Sequence, residues 1–395
     1  MTMPSTGAAP SAAPLAAPSA ARPTVAVIGG GYGGVNVAKA LDDVADVILV
    51  EPKDAFQHNV AALRALADPA WLPRMFLPYR RLLARGRVMA DKAVKVEPGH
   101  VTLASGGEIA ADYIVLATGS AYPFPAKSGV PATSAAQEQY RAAHDALAAA
   151  GRVLLIGAGA VGIELAGEIK AAWPAKQVTL LDAADDVLGA RFRPDLKAEL
   201  RRQLASRDVE VLLSRPLRQL PPVAAGELGE FTVVTEAGRE ITADLWFRCY
   251  GVSPVSDYLA GELAVARGAD GFVAVTPYLQ VTGQDHVFAI GDVADADHKM
   301  VAVARRQAQV VAANIQALIS GGELEAYQPA EPAIIVPVGP GGGSGQAPGN
   351  DELLSAEFVT QTKGHDMYTG RYAELFGLGG AEQAAAGTET AAGGR

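Results

Sequence analysis

Two glycine-rich turns, each entered from an apolar run, constrain this chain more than any other feature: VAVIGGGYGG from Val25 and VLLIGAGAVG from Val153. Both read as strand, G-x-G-x-x-G, helix, with Gly29, Gly31 and Gly34 in the first and Gly157, Gly159 and Gly162 in the second. In such a turn the first glycine permits the tight bend, the second lets the backbone approach a pyrophosphate, and the third lets the helix pack close to the strand. The phosphates rest on the free N–H groups and the positive dipole end of that helix. Each turn is followed by an acidic residue closing the next apolar strand, Glu51 after DVILV and Asp182 after QVTLL. A carboxylate at that place accepts the ribose hydroxyls of an adenosine. One such turn alone is weak, because ordinary βα connections imitate it. Two, with acids at matching places, specify a chain that holds two dinucleotides.

Composition narrows the class further. The 395 residues are 49% hydrophobic and 19% charged, which is a globular balance with length enough for two or three domains. A net charge of −10 excludes a nucleic-acid partner, since phosphate backbones require a basic face. Cys249 is the single cysteine, so the chain has neither a disulfide framework nor a redox-active cysteine pair, and LWFRCYG reads as buried strand around it. The six histidines are dispersed, with no metal-binding spacing. Residues 1–21 and 379–395 are low-complexity and read as disordered tails. The first lacks the basic and apolar regions of a signal peptide, and Thr2 stands where N-myristoylation needs glycine. Without a run of about 18 apolar residues, stable membrane insertion is not expected and a cytoplasmic location is. A homodimer is left open.

The order of signals gives the architecture. Val25–Ile28, a helix from Tyr32 to about Leu41, and Val47–Val50 open a parallel sheet, whose buried strands read as continuous apolar runs. Alternation from Arg87 to Leu103 predicts an antiparallel meander, after which DYIVLATGS returns a buried strand ending at Thr118 and Gly119. The second nucleotide fold follows a helix from about Ser134 to Ala150 and includes a helix from Pro194 to Ser206 and a hairpin near Phe231–Ile241. HVFAIGDVAD, from His286 to Asp295, then breaks at Gly291 and Asp292 ahead of a long helix from Met300 to Ile319. An aspartate at such a strand end suits a flavin's ribityl hydroxyls and pyrimidine ring, and the helix dipole beyond it favours the negative charge of reduced flavin. The predicted fold is therefore α/β, with two Rossmann-like nucleotide-binding domains, for FAD and NAD(P)H, and a small C-terminal α+β segment. FAD-binding residues are 22–123 and 252–325, NAD(P)H-binding residues 124–251, and 326–378 form the segment near the flavin.

Together VIGGGYGG, LATGS, GAGAVGIELAGEI and FAIGDVAD resemble the pyridine-nucleotide-dependent flavin oxidoreductases over roughly residues 23–319. Within them, EPKDAFQHNVAALR, GIELAGEIKAAWPAKQVTLL and TKGHD are most similar to the ferroptosis-suppressor, apoptosis-inducing-factor-like mitochondrion-associated family, close to the type II NADH dehydrogenases. The resemblance implies FAD as prosthetic group, NAD(P)H as electron donor and a small-molecule quinone as acceptor. It places Glu51, Asp292 and, beside the first of these, Lys53 among the FAD contacts, together with the Thr118–Gly119 and Gly291 turns. Glu164 falls on a nicotinamide-side carboxylate and Lys363 on the lysine of a C-terminal active-site segment. His58 and Phe56 lie in the stretch that runs beside the flavin ring.

The implied reaction is ping-pong, with hydride passing from NADH to flavin and electrons passing on to quinone, so that no triad or metal is required. Lys363 and His58 are the expected catalytic side chains, Lys363 polarising the flavin edge or protonating a quinone oxygen. NADH is expected over NADPH, because Asp182 lies near the 2′ position and no arginine intervenes before Arg191. The alternatives are a redox-sensing flavoprotein with a protein partner, or a reductase feeding a ferredoxin.

Overall fold

The structure, a computed structural model, describes residues 22–379; both stretches read as tails lie outside the described residues, save Gly379. Five parallel strands form the first sheet, in the spatial order Val287–Ala289, Tyr113–Leu116, Thr24–Ile28, Asp46–Val50 and Arg87–Met89. Alternate side chains of a strand point to opposite faces. Accordingly Val25 and Val27 meet the helices Tyr32–Leu41 and Val301–Ser320 through Val35, Val311 and Ile315. Ala26 and Ile28 face the other way, against Val96, Val101 and Leu103. Those last belong to an antiparallel meander, Ala93–Glu97, His100–Leu103 and Glu108–Ala110.

One expectation is corrected here. Arg87–Met89 does not begin the meander but adds a parallel edge strand to Asp46–Val50. The Asp42 carboxylate, just past the first helix, accepts from the backbone N–H groups of Ala84, Arg85 and Gly86 and aims the incoming chain at that edge. A contact across more than forty residues of sequence leaves no mark in the local alternation.

The second sheet is also parallel, ordered Val209–Leu212, Gln177–Leu181, Arg152–Ile156 and Leu245–Arg248. The helix Ala160–Ala172 and the helix Pro194–Ala205 flank it, and the hairpin Phe231–Val234 with Glu240–Ala243 packs on its far face. Since Val287–Ala289 pairs with Tyr113–Leu116, the first sheet is assembled from chain on both sides of the second.

The remainder is α+β, as expected: a hairpin of Ile334–Pro337 with Gly343–Gln346, a short helix Ala356–Val359, a π-helical turn Thr360–Gly364 and a helix Thr369–Leu375. Its glycine-rich hairpin lies directly on the second fold. A Cβ on Gly167 would come within 2.3 Å of the Gly339 nitrogen, so only glycine lets that helix touch the hairpin backbone. The Gln203 amide fixes the contact twice, donating to the Gly343 carbonyl at 2.9 Å and accepting from its N–H at 2.7 Å. The C-terminal segment is thereby anchored to the second nucleotide fold as well as to the first. Among the described residues no helix is long and apolar enough to cross a membrane.

Candidate active site

The glycines of the first turn divide by what surrounds them. A Cβ on Gly29 would lie 2.6 Å from the Ala117 carbonyl oxygen, and one on Gly34 would lie 1.8 Å from the Gly29 oxygen. These two therefore serve close packing. A Cβ on Gly31 meets nothing within 4 Å, so the helix N-terminus beside it opens onto space that a pyrophosphate would fill. Glu51, 9% exposed, closes the neighbouring strand and accepts from Gly30 N–H at 2.7 Å and Lys53 N–H at 3.0 Å. Lys53, two residues on, lines a cavity of about 340 Å³ together with Tyr79, Leu83 and Val88. Burial pushes the Lys53 ammonium down, against the pull of Glu51, and its Nζ donates to Gln57 at 2.8 Å and to the Ser128 carbonyl at 2.9 Å.

At the other end of the crevice, Thr118 Oγ1 donates to the Val255 carbonyl at 2.6 Å and accepts from the Tyr258 hydroxyl at 2.9 Å. Gly119 and Gly291 both take positive φ, and Gly291 N–H donates to Gln307 Oε1 at 2.7 Å. Asp292 sits on a single turn, Gly291–Val293, well before the helix that begins at Val301. Its Oδ2 accepts from Ser120 Oγ at 2.6 Å and from Lys127 Nζ at 3.2 Å. The open glycine, the buried Glu51 carboxylate and the Asp292–Lys127 pair suit a dinucleotide lying across the carboxyl ends of these strands, and the residues fit FAD.

The second turn repeats the device. Gly157 is closed by the Cys249 backbone and Gly162 by the Gly157 carbonyl, whereas a Cβ on Gly159 meets nothing within 4 Å. Asp182 is half-buried and accepts from Ala158 N–H at 2.6 Å and Ala184 N–H at 2.8 Å. Arg215, from the next strand's end, donates its backbone N–H to the Asp182 carbonyl at 2.9 Å. Cys249 is 2% exposed and burial pushes its thiol up to about 12, which suits the expected core role.

The two folds and the C-terminal segment meet in a buried cluster of charge. Lys363 Nζ lies 2.7 Å from Glu164 Oε1, with both side chains nearly buried, and donates to the Ile335 carbonyl at 3.3 Å. One helical turn on, Glu168 takes a two-pronged contact from Arg64, at 2.5 and 2.8 Å, and Arg64 also donates to the Gly364 carbonyl at 3.1 Å. Burial pushes both glutamates up; Lys363 chiefly opposes this at Glu164 and Arg64 at Glu168. Lys363 rides on the π-helical turn, and Met367 and Tyr368 follow with φ of 50° and 62°. Non-glycine residues in that region are strained and concentrate at working sites.

His58, expected to be catalytic, is enclosed by its neighbours. It is fully buried, its Nδ1 lies 3.1 Å from the Tyr32 hydroxyl and its Nε2 2.7 Å from the Met367 carbonyl. Burial pushes the imidazole down to about 4, so the ring is neutral, donating from Nε2 and accepting at Nδ1. With both nitrogens engaged inside the protein, it seals the first fingerprint helix to the C-terminal segment, among Phe56, Tyr372 and Tyr32. Lys127, Arg64, Tyr32 and Tyr372 escaped the sequence reading. Lys127 had a usable signal, as a lone cation in the proline-punctuated exit from LATGS; the others are ordinary helix residues until their partners are known.

This is the arrangement of a two-nucleotide oxidoreductase, and the chain belongs to the pyridine nucleotide-disulphide oxidoreductase family, whose model matches residues 23–313. It is 31% identical to Ferroptosis suppressor protein 1 of Taeniopygia guttata over 353 residues, covering 88% of this chain and 94% of that protein. Its fold is that of NDH2 from Plasmodium falciparum, solved with NADH, at a TM-score of 0.72 and 11% identity, covering 93% of this chain and 97% of that one. The sulfide:quinone oxidoreductase of Aquifex aeolicus is similar at a TM-score of 0.71 and 19% identity, over 91% and 94% of the two chains. The protein is a flavoenzyme of this family. Its single buried cysteine means that no dithiol of its own carries electrons onward.

Proposed function

We propose that this protein is an FAD-dependent NADH:quinone oxidoreductase, with overall balance NADH + H⁺ + quinone → NAD⁺ + quinol. The observation that carries this reading is the pairing of Lys363 with Glu164 at 2.7 Å, which joins the second nucleotide helix to the C-terminal segment beside the first. The names of the similar proteins, two of which are sulfide:quinone oxidoreductase and an NDH2 bound to NADH, support the donor and acceptor classes.

When bound, FAD supplies the two-electron carrier between hydride donor and acceptor. The FAD-binding part takes in residues 22–123 and 252–325, the NADH-binding part 124–251, and 326–378 complete the site. Glu51 holds the FAD ribose and the Gly31 turn its pyrophosphate; Lys53 and Thr118–Gly119 support the crevice, and Gly291 and Asp292, with Lys127, hold its far end. Gly157, Gly159, Gly162 and Asp182 do the same for NADH. Glu164 orients the donor side. Lys363 offers its Nζ to an acceptor oxygen that gains electrons. His58 positions the segment that carries Lys363.

The test is steady-state oxidation of NADH by the purified yellow protein against short-chain quinones, ferricyanide and a ferredoxin. Fast turnover with a quinone supports the reading. Turnover confined to ferredoxin would replace it with a reductase for a protein acceptor.

A further inference from the structure

We propose that Arg64 is a positioning residue for Lys363, gripping the turn that carries it rather than merely neutralising Glu168. This deepens the reading of Lys363 as the acceptor-side lysine and rests on it.

Arg64 lies in the helix Ala62–Ala67, and the residue is 5% exposed. Its guanidinium reaches two other parts of the molecule at once. Nε and one terminal nitrogen hold both oxygens of Glu168, on the second fingerprint helix, while the other terminal nitrogen donates to the carbonyl of Gly364, the residue after Lys363. Trp71 lies against the guanidinium, 5.0 Å from ring centre to carbon, and limits its swing. A planar fork with donors on both edges can make these contacts simultaneously; a lysine ammonium in its place cannot.

Glu168 and Glu164 are one turn apart on the same helix face. Arg64 therefore sets the distance between that face and the Gly364 backbone, and this distance decides whether Lys363 Nζ reaches Glu164. The π-helical turn is closed by backbone hydrogen bonds of its own, from His365 N–H to the Thr360 carbonyl at 2.7 Å and from Met367 N–H to the Lys363 carbonyl at 2.8 Å, and Arg64 ties its Gly364 end to Glu168 on the second fingerprint helix. Gly364 also packs tightly, with a Cβ there falling 3.0 Å from the Pro340 carbonyl, and the turn has no freedom to compensate on that side.

Simple loss of Arg64 would strand Glu168 as a buried unpaired charge and confuse positioning with folding. The informative variant replaces both partners, Arg64→Met with Glu168→Met, in the FAD-loaded protein. An apolar pair removes the charge problem but cannot grip the Gly364 carbonyl. We expect a melting temperature within a few degrees of wild type, yet Lys363 acetylated about tenfold faster by acetic anhydride, read residue by residue by mass spectrometry. Reoxidation by a short-chain quinone should slow by about 10²-fold, as for a group displaced by about 1 Å. Wild-type labelling and turnover in the double variant would overturn the proposal, leaving Arg64 as a counter-charge. Should that variant not fold, Arg64→Lys keeps the test: intermediate labelling supports the grip, and wild-type labelling with wild-type turnover refutes it. If the wild type itself passes no electrons to quinone, the functional reading fails while Lys363 labelling still decides the role of Arg64.

Discussion

The two nucleotide turns use one backbone device, yet the molecule dresses them differently. Around the first, Glu51 is buried, Tyr79 donates to the Gly30 carbonyl at 2.8 Å, the Lys127 loop reaches Asp292, and His58 ties Tyr32 to the C-terminal segment. Around the second, Asp182 is half-buried and Ala183, Ala184 and Asp185 beyond it are exposed. A ligand walled in by several segments leaves only when they open together, whereas one on an open edge exchanges freely. On the proposed assignment, this contrast suits a retained FAD at the first turn and a passing NADH at the second, though both turns share the glycine pattern and a strand-end acid.

The sharpest way to break that comparison is to remove each carboxylate in turn. Glu51→Ala should purify largely colourless, since two charge-assisted ribose hydrogen bonds of roughly 1.5–3 kcal/mol each are lost. Asp182→Ala should stay yellow and raise the KM for NADH. Visible absorbance relative to protein absorbance decides it, and equal flavin in both variants would mean that the first turn has been misassigned.

Next in size is Lys363→Met. Stopped-flow should show reoxidation by quinone slowed by about two to four powers of ten. Bleaching by NADH should change far less, by about tenfold at most, because Glu164 loses its partner but keeps its place. Equal slowing of both phases would make the lysine a structural pin between the folds.

The seal around the first site should be visible in pH. Burial holds the His58 imidazole down at about 4 from 6.5, so the native state refuses a proton that the unfolded chain accepts. Stability from this group is complete above 6.5 and drains as pH falls from there to about 4, in total about 3 kcal/mol. Melting temperature should therefore drop between neutrality and about pH 5 in wild type and drop less in His58→Gln. Parallel curves would remove His58 from the seal.

The smallest expected effect tests the open site. NADH should exceed NADPH in kcat/KM by about tenfold or more, through repulsion between Asp182 and a 2′-phosphate, and Asp182→Ser should narrow the gap. A native preference for NADPH would transfer control to Arg215, which the fold brings beside Asp182 from the neighbouring strand.

The sequence by itself determined what is encoded within one βα unit: two parallel sheets, the turns at Gly29 and Gly157, the strand-end acids Glu51 and Asp182, and the break at Gly291. Apolar runs, glycine sterics and chain reversal act over a few tens of residues, so their pattern is written locally. It also marked Lys363 and Glu164, through resemblance, but not that they touch. Only the tertiary structure decided the junction. Lys363 meets Glu164 across 199 positions, Arg64 meets Gly364 across 300, and His58 meets Met367 across 309. The edge strand Arg87–Met89 and the pairing of Lys127 with Asp292 belong to the same class. A side chain's type says what bonds it can form; whether it is buried, and against which distant partner, is fixed by the packing of the whole chain, and that is what put His58 between Tyr32 and the Met367 carbonyl.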